Sequence, residues 1–479
     1  DGGLSVIPEE DGFVILSNST CYTDSSFYGC GYLLKTDLTG EEIEWINLYD
    51  TYPVKSTAGG LYSMIKTQDS AYVISGAYVE SPTEWHNTLL KLTNSGDTIW
   101  WREFGDGLRE VAMVTHELES GNIMTLGWTE TQSQVFGIGV SKHTKHGDFL
   151  WEKHLPVGCD LKSVFKMTPA EDGNLLLSYY CTTAGPGILR TPGIMKIDTS
   201  GNQIWDRPLP EFTAGSCPVL PSIETLPNDG YTLQWCNPEV SINTKDTAYI
   251  FGLNANHEQL WGIPFVNNPI NNGVSIATSR KAENGDIVLC GYNDASLEYK
   301  SAAFFARVTP DGELLWQRYL VLADRPWDHP TLSNFELLPD GGMIAVGSVE
   351  DTVPIPALDI WLLKVDEDGC FTPGCTEEVI YISEAVPTED LVTDLKEVFF
   401  KISPNPATER VSIDFYNPVS RENVILKVYS MTGQLMYREV LAKGISELGL
   451  SVNDYSNGLY LVILEQEGRI LQKEKLVKQ

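Results

Sequence analysis

The chain has 479 residues, 42 % of them hydrophobic and 20 % charged, with a formal net charge of −32. Such acidity excludes nucleic acid and anionic membranes as partners, because both need a basic footprint. No apolar run approaches the length of about 18 residues that a membrane-spanning helix requires.

The acidity is uneven. Residues 399–479 hold ten Lys/Arg against nine Asp/Glu, so residues 1–398 carry 23 basic and 56 acidic side chains. A solvated surface kept soluble by repulsion accounts for that excess.

From the first residue to about 376, one phrase recurs: a turn pair, a short apolar run, a loop, a second apolar run, then Gly and Trp. The turn pairs are Asp11-Gly12, Asp69-Ser70, Ser120-Gly121, Asp172-Gly173, Asp229-Gly230, Asn284-Gly285 and Asp340-Gly341. Strand-like runs follow, such as Phe13-Val14-Ile15-Leu16 and Tyr72-Val73-Ile74-Ser75-Gly76. Second runs such as Tyr32-Leu33-Leu34-Lys35-Thr36-Asp37 and Trp361-Leu362-Leu363-Lys364-Val365-Asp366 end in Lys-x-Asp. The phrase closes on Trp45, Trp100, Trp151, Trp205, Trp261 and Trp316, while the seventh copy has Gly369 and no Trp. Copies three (His143-Thr144-Lys145-His146-Gly147) and five (Leu253-Asn254-Ala255-Asn256) depart from Lys-x-Asp.

Asp-Gly and Asn-Gly supply the positive φ of tight hairpin turns. Each copy therefore offers four short antiparallel strands with almost no helical period. Seven such sheets packed radially bury their faces as a seven-bladed β-propeller, expected over residues 1–382. The recurring Trp then packs between neighbouring sheets, and Glu377–Ile382 is a candidate for the seventh blade's last strand. This region resembles the secreted propeller repeats of Bacteroidetes surface proteins, in which Asp-Gly-Gly-Tyr-Val-Leu-x-Gly precedes Leu-x-Lys-x-Asp-x-x-Gly-x-x-x-Trp.

Nine Cys are many for a reduced compartment. The expected bridges are local: Cys21 with Cys30, Cys159 with Cys181, Cys217 with Cys236, and Cys370 with Cys375, leaving Cys290 over. They imply an oxidising location, although spacing alone leaves connectivity open.

Residues 383–398 lack strand alternation and form an acidic linker. Beyond them, short alternating strands between Gly turns indicate an all-β, Ig-like sandwich over 399–479. Its motif blocks are Pro404-Asn405-Pro406, the Tyr429-to-Gly433-Gln434 turn, Gly458-Leu459-Tyr460, and the basic tail with Lys473, Lys475 and Lys478. In that order and flush with the end, they resemble the type A sorting domain of type IX secretion substrates. The resemblance implies an outer-membrane translocon and its β-barrel shuttle as partners. It also implies a surface sortase that cuts near 383–400, a signal peptide removed ahead of Asp1, and a cell-surface or extracellular location.

Catalytic signatures are absent: no Gly-x-Ser-x-Gly, no HExxH and no Walker loop. The repeat also resembles quinoprotein propellers, but no adjacent Cys pair exists to hold a quinone, and no cofactor is expected. His143 with His146 reads as an exposed turn before it reads as a metal pair. Asp366-Glu367-Asp368-Gly369 likewise reads as a repeat turn before a calcium loop. Ser70, Thr98, Thr247 and Thr352 each follow an Asp in a short motif that resembles Bacteroidetes O-glycosylation sites. Loops 19–30, 181–193, 236–247 and 324–331 are the expected binding surface for a glycan or protein ligand, with Trp85, Trp235 and Trp327 as exposed anchors. The expected function is an exported, non-enzymatic binding or adhesion module. The alternatives are a component of the secretion or gliding translocon, and a glycan-active hydrolase or lyase using paired carboxylates.

Overall fold

A computed structural model of the chain describes residues 2–23, 26–48, 61–81, 84–105, 109–130, 136–157, 160–183, 189–214, 221–236, 248–265, 274–293, 301–322, 329–351, 357–382, 400–415, 424–430, 435–453, 455–456, 458–466 and 469–478. Two compact units result, Asp1–Val386 and Pro387–Gln479. No α-helix occurs among the described residues.

In the first unit each sequence copy folds as an antiparallel meander. Copy one gives β1 (Gly2–Pro8), β2 (Gly12–Thr23), β3 (Ser26–Asp37) and β4 (Glu42–Asn47). Copy two gives β5 (Leu61–Lys66), β6 (Tyr72–Ser81), β7 (Glu84–Leu92) and β8 (Thr98–Phe104). β9 (Arg109–Glu117), β10 (Ile123–Glu130), β11 (Phe136–His143) and β12 (Phe149–Leu155) form the third, joined to the second by one parallel bridge from Trp85 to Arg109. The fourth comprises β13 (Asp160–Pro169), β14 (Leu175–Thr183), β15 (Leu189–Ile197) and β16 (Gln203–Pro208). Copy five has β17 (Tyr231–Cys236), β18 (Ala248–Leu253) and β19 (Gln259–Pro264), with Ser222 and Thr225 bridging to β17 where a first strand would lie. β20 (Val274–Lys281), β21 (Ile287–Asn293), β22 (Ala302–Val308) and β23 (Leu314–Leu322) form the sixth. β24 (His329–Leu337), β25 (Met343–Asp351) and β26 (Ala357–Val365) form the seventh.

The turn chemistry explains these meanders. After each second run an acceptor side chain caps the turn; in five copies it takes the backbone N–H groups two and four residues on, while Thr93 and Thr309 take the N–H four residues on. Asp37, Asp198 and Asp366 take both groups through Oδ1. Copies three and five depart from Lys-x-Asp in letter only, since Thr144 Oγ1 and Asn254 Oδ1 accept the same pair of N–H groups. The preceding cation ties back to the copy's first turn: Lys91 to Asp69 at 2.7 Å, Lys196 to Asp172 at 2.8 Å, and Arg307 to Asp286 at 2.9 Å.

Consecutive meanders pack face to face. Ile7, Leu16 and Leu33 of copy one share a core with Met64, Ile74 and Leu90 of copy two. Val288 and Phe305 of copy six meet Leu332, Phe335 and Ala345 of copy seven. The last meander also packs on the first, with Val6, Phe13, Ile15 and Leu34 against Ile344 and Val346. First strands touch in the same cyclic order, β1 with β5, β5 with β9, β9 with β13, β20 with β24, and β24 with β1.

The expected last strand and one expected anchor need correction. Glu377–Ile382 does not complete the seventh meander: β27 (Val379–Ile382) pairs in parallel with β23 of the sixth. A fourth strand would have to leave the Gly369 turn directly. Instead a disulfide-closed loop, Cys370–Cys375 (Cα–Cα 5.8 Å), diverts the chain, and Tyr319 N–H then donates to Glu378 O at 2.8 Å. Trp235 is not an exposed anchor. It is fully buried, with Nε1 donating to Phe212 O at 2.7 Å. Burying about 150–250 Å² at about 25 cal/mol per Å² stabilises the fold by up to about 4–6 kcal/mol.

In the second unit, β28 (Phe400–Ser403), β29 (Arg410–Phe415) and β32 (Glu447–Ser451) form one sheet. β31 (Leu435–Val440), β30 (Val424–Ser430), β33 (Gly458–Gln466) and β34 (Arg469–Lys478) form the other, in that order. Alternate residues of both sheets, among them Phe400, Val411, Ile413, Leu426, Val428, Val462 and Leu476, enclose one core.

Candidate functional site

The repeat Trp residues act between copies. Four lie over the left-handed turn residue of the next copy, Trp100 over Gly147, Trp151 over Gly201, Trp261 over Gly312, and Trp316 over Gly369, while the side chain of Trp45 is outside the described set. A Cβ at Gly147, Gly312 or Gly369 would stand 2.7, 2.5 or 2.9 Å from the ring. Copy five carries His257 (φ +69°) at that turn, and Trp205 meets its imidazole edge-on at 4.8 Å. Indole Nε1 donates to the same turn, from Trp100 to Lys145 O and from Trp261 to Pro310 O, each at 3.2 Å. A cation two residues on stacks over the ring: Arg102 on Trp100, Lys153 on Trp151, Arg318 on Trp316.

Copy one breaks the register. Trp100, Trp151, Trp205 and Trp316 pair with Lys91, Lys142, Lys196 and Arg307, whereas Lys35 pairs with Glu44 and Trp45 falls one residue later, opposite Leu34. A bulge precedes that pair in every outer strand, at Ile43, Ile99, Leu150, Ile204, Leu260 and Leu315, and each bulged residue is exposed.

Ionisable groups gather at two places in the first unit. Lys166 on β13 reaches Glu224 of copy five and also donates to Ser279 O of copy six at 2.7 Å. Burial pushes its ammonium below the usual lysine range, and the Glu224 carboxylate opposes that shift. Arg280 continues the chain to Glu336 of copy seven at 2.9 Å. These pairs stitch successive first strands together.

The second place lies between copies two and three. Glu110 on β9 is fully buried and accepts from Asn87 Nδ2 (3.2 Å) and Thr129 Oγ1 (3.0 Å). His154 Nε2 lies 3.7 Å from Glu110 and 3.9 Å from Glu152. The three ligand atoms fall within 4.8 Å of one another, an oxygen–nitrogen donor set of the kind transition metals accept. All three residues make further interactions, so the cluster is already engaged. Elsewhere in copies two and three, Ser75 Oγ, Asn87 Oδ1, Thr115 Oγ1 and both His143 nitrogens are buried without a hydrogen-bond partner among the described residues. Contrary to the expected exposed turn, His143 is fully buried, and only His146 is exposed. His143 packs between Phe104 and Phe149, and burial followed by the Arg102 charge holds its pKa down at about 4. The Glu152-x-His154 spacing, which places both on one strand face, was a usable signal; Glu110, on a different strand, had none.

Among the other candidate residues, Cys370–Cys375 is a disulfide, Cys181 and Cys236 are each disulfide-bonded, and Cys290 is free and buried. The partners expected for them, Cys159 and Cys217, lie outside the described residues, as do the side chains of Cys21 and Cys30. The backbone sets Cys21 opposite Tyr28 and Cys30 opposite Ser19, so much of the 19–30 loop is a long hairpin. Ser70 and Thr98 are exposed, while Thr247, Thr352 and Trp327 are not among the described residues. Trp85 is half-buried and packs on Trp128 at 5.9 Å.

In the second unit the separated motif blocks meet. Asn405 grips the terminal strand with both ends of its amide: Nδ2 donates to Lys475 O (2.6 Å) and Oδ1 accepts from Val477 N–H (2.9 Å). Ala407 N–H donates to Val477 O at 2.8 Å, so the Pro404-Asn405-Pro406 block is clamped on the basic tail. Tyr460 is buried against Tyr455 at 4.8 Å, and its hydroxyl donates to Ser456 O. Gly458 (φ +153°) opens that strand, Lys475 is exposed and Lys478 half-buried. Gly433 and the side chain of Lys473 lie outside the described set.

No curated protein matches the chain. Solved structures resemble it distantly. An ulvan lyase, titled a new family of polysaccharide lyase, is 11 % identical over 76 % of this chain and 92 % of its own, with a TM-score of 0.49. The β-propeller domain of the Trilobed protease from Pyrococcus furiosus is 9 % identical over 77 % and 97 %, with a TM-score of 0.43. A protein of unknown function from Bacteroides caccae is 14 % identical over 65 % and 94 %, with a TM-score of 0.39. Nothing about ligand or activity follows from likenesses of this depth. The family model of the secretion system C-terminal sorting domain matches residues 401–479. The chain is therefore a type IX secretion substrate, an all-β, propeller-like region followed by its C-terminal sorting domain.

Proposed function

We propose that residues 1–382 form a seven-bladed β-propeller that reaches the cell surface as a non-enzymatic binding module, carried by an Ig-like sorting domain at 399–479. The observation that carries export is the match at 401–479, in which Asn405 and the basic tail form one clamped surface. Translocon and shuttle would read that surface. A sortase cut within 383–400 would then free the propeller or anchor it.

The seven-bladed reading is supported by the cyclic contacts of the first strands and by the core that the last meander shares with the first. The binding reading is supported by how the described charges are used. Lys166–Glu224, Arg280–Glu336 and Lys91–Asp69 are bound to one another, and Glu110 is fully buried. A glycosidase needs two carboxylates flanking an accessible bond.

Mass spectrometry of protein recovered from the cell surface tests processing, and the expected new C-terminus lies between 383 and 400. Turnover on a polysaccharide panel that vanished in Glu224→Gln or Glu152→Gln would overturn the non-enzymatic reading.

A further inference from the structure

In copies one to four and six, the third strand is covered along its outer edge by a fourth strand of the same copy, and copy five follows suit with β19 on β18. β26 is the exception. Among the described residues no strand pairs with its outer edge, because β27 lies on β23 instead.

The composition of β26 is that of a covered strand. β26 (Ala357–Val365) has no Pro, and its charges, Asp359 and Lys364, flank four consecutive apolar residues, Ile360-Trp361-Leu362-Leu363, whereas natural edges are guarded by charge, proline or bulges. Its side chains nevertheless stand partly open. Lys364 is exposed, although its counterparts Lys91 and Lys196 are buried, and Ile360, Trp361 and Leu362 are only half-buried.

A second, independent sign lies on the neighbouring meander. The left-handed turn glycines at 147, 201, 312 and 369 each lie under a Trp from the preceding copy's fourth strand. Among the described residues Gly40 (φ +88°) has no such cover, and the one described atom a Cβ there would approach is Leu362 Cδ2, at 3.8 Å. Among the described residues the repeat pattern lacks a fourth strand on β26 and an aromatic lid on Gly40 at the same place.

We propose that the outer edge of β26 takes up one extended strand of polypeptide from outside residues 1–479, antiparallel to β26, with an aromatic residue opposite Lys364 and a cation two residues later. The other copies define that chemistry. Trp100, Trp151, Trp205 and Trp316 stand opposite the residue equivalent to Lys364, and Arg102, Lys153 and Arg318 stack over the ring. Main-chain hydrogen bonds supply affinity in strand addition and alternate side chains supply selectivity. A second copy of this chain is a poor occupant, because β26 lacks the Trp-x-cation pattern and two chains of net charge −32 repel. The inference stands on the sheets themselves and is separable from export and from the ligand of the propeller face.

The test is hydrogen exchange on the full 479-residue chain with a synthetic peptide of residues 147–155, the fourth strand of copy three. Saturating peptide should slow exchange of the β26 amides not bonded to β25 by about tenfold or more. The same peptide with Trp151→Ser and Lys153→Glu should leave them unchanged. Equal protection by both peptides, or none by either, overturns the proposal. So does protection already present without peptide: if independent of concentration, the chain fills its own edge, and if it rises with protein concentration alongside a dimer in sedimentation, a second copy does.

Discussion

Replacing Gly312 by Ala adds one methyl group where two costs coincide. The backbone there has φ of +84°, and an L residue in that region is disfavoured by about 1–2 kcal/mol. The new Cβ would also stand 2.5 Å from Trp261 Cγ and Cδ2, with the ring held by its bond to Pro310 O. Overpacking of that kind costs about 1–3 kcal/mol more. Gly173 is the internal control, with φ of +78° and nothing within 4 Å of its Cβ position. Gly173→Ala should therefore lose only the backbone part, about 1–2 kcal/mol. Urea unfolding of the full chain, followed by Trp fluorescence, should separate the two variants by about 1–3 kcal/mol in the transition of the first unit. Adding Trp261→Leu should bring the cost of Gly312→Ala down to that of Gly173→Ala. Equal costs for the two glycines, or no relief when Trp261 is shortened, would refute the Trp-over-turn account of how the copies lock together.

Further outcomes follow from single residues. The His143 imidazole titrates at about 4 in the fold against an ordinary 6.5, so its contribution is whole above pH 6.5 and is lost as pH falls toward 4. Stability at pH 5 should thus fall by about 2 kcal/mol relative to pH 7 through this group, a difference that His143→Phe removes in paired denaturation curves. Burial pushes the Cys290 thiol up to about 12, so a thiol reagent should find no reactive Cys in the native chain. In denaturant without reductant it should find one per chain if all four local bridges form, and more would disprove that set. Asn405→Leu deletes two hydrogen bonds to the terminal strand, which should lower the sorting domain's stability by about 1–3 kcal/mol in calorimetry. Asn405→Asp keeps only the acceptor toward Val477 and should fall between.

The meanders were readable because turn chemistry is local: Asp-Gly pairs, a capping Asp and a recurring Trp fall at fixed spacings. Thr144 and Asn254 differ from Asp in letter, yet the Thr hydroxyl and the Asn amide oxygen accept the same N–H groups. The slip of Trp45 was legible in the spacing, since five residues separate it from Gly40 where four separate Gly96 from Trp100 and Gly147 from Trp151, and the bulge common to all the outer strands does not account for it. Trp235 ends a strand beside a long loop, a place that reads as exposed in sequence, and its burial depends on the neighbouring copy that covers it. β27 and the Glu110–Glu152–His154 cluster depend on which strands become neighbours in space, and no periodicity within one strand encodes that. In the tail, the motif order was visible, while the clamp of Asn405 on Lys475 and Val477 spans some 70 residues of chain and needed coordinates.

Export through the sorting domain is decided by comparing two chains. The full chain and a chain lacking residues 399–479 would be expressed in a host with a working type IX system, and protease accessibility of the propeller region measured on intact cells. The full chain should be cut from outside, and the truncated chain should stay protected until the outer membrane is opened. Equal surface exposure of the truncated chain would contradict the account.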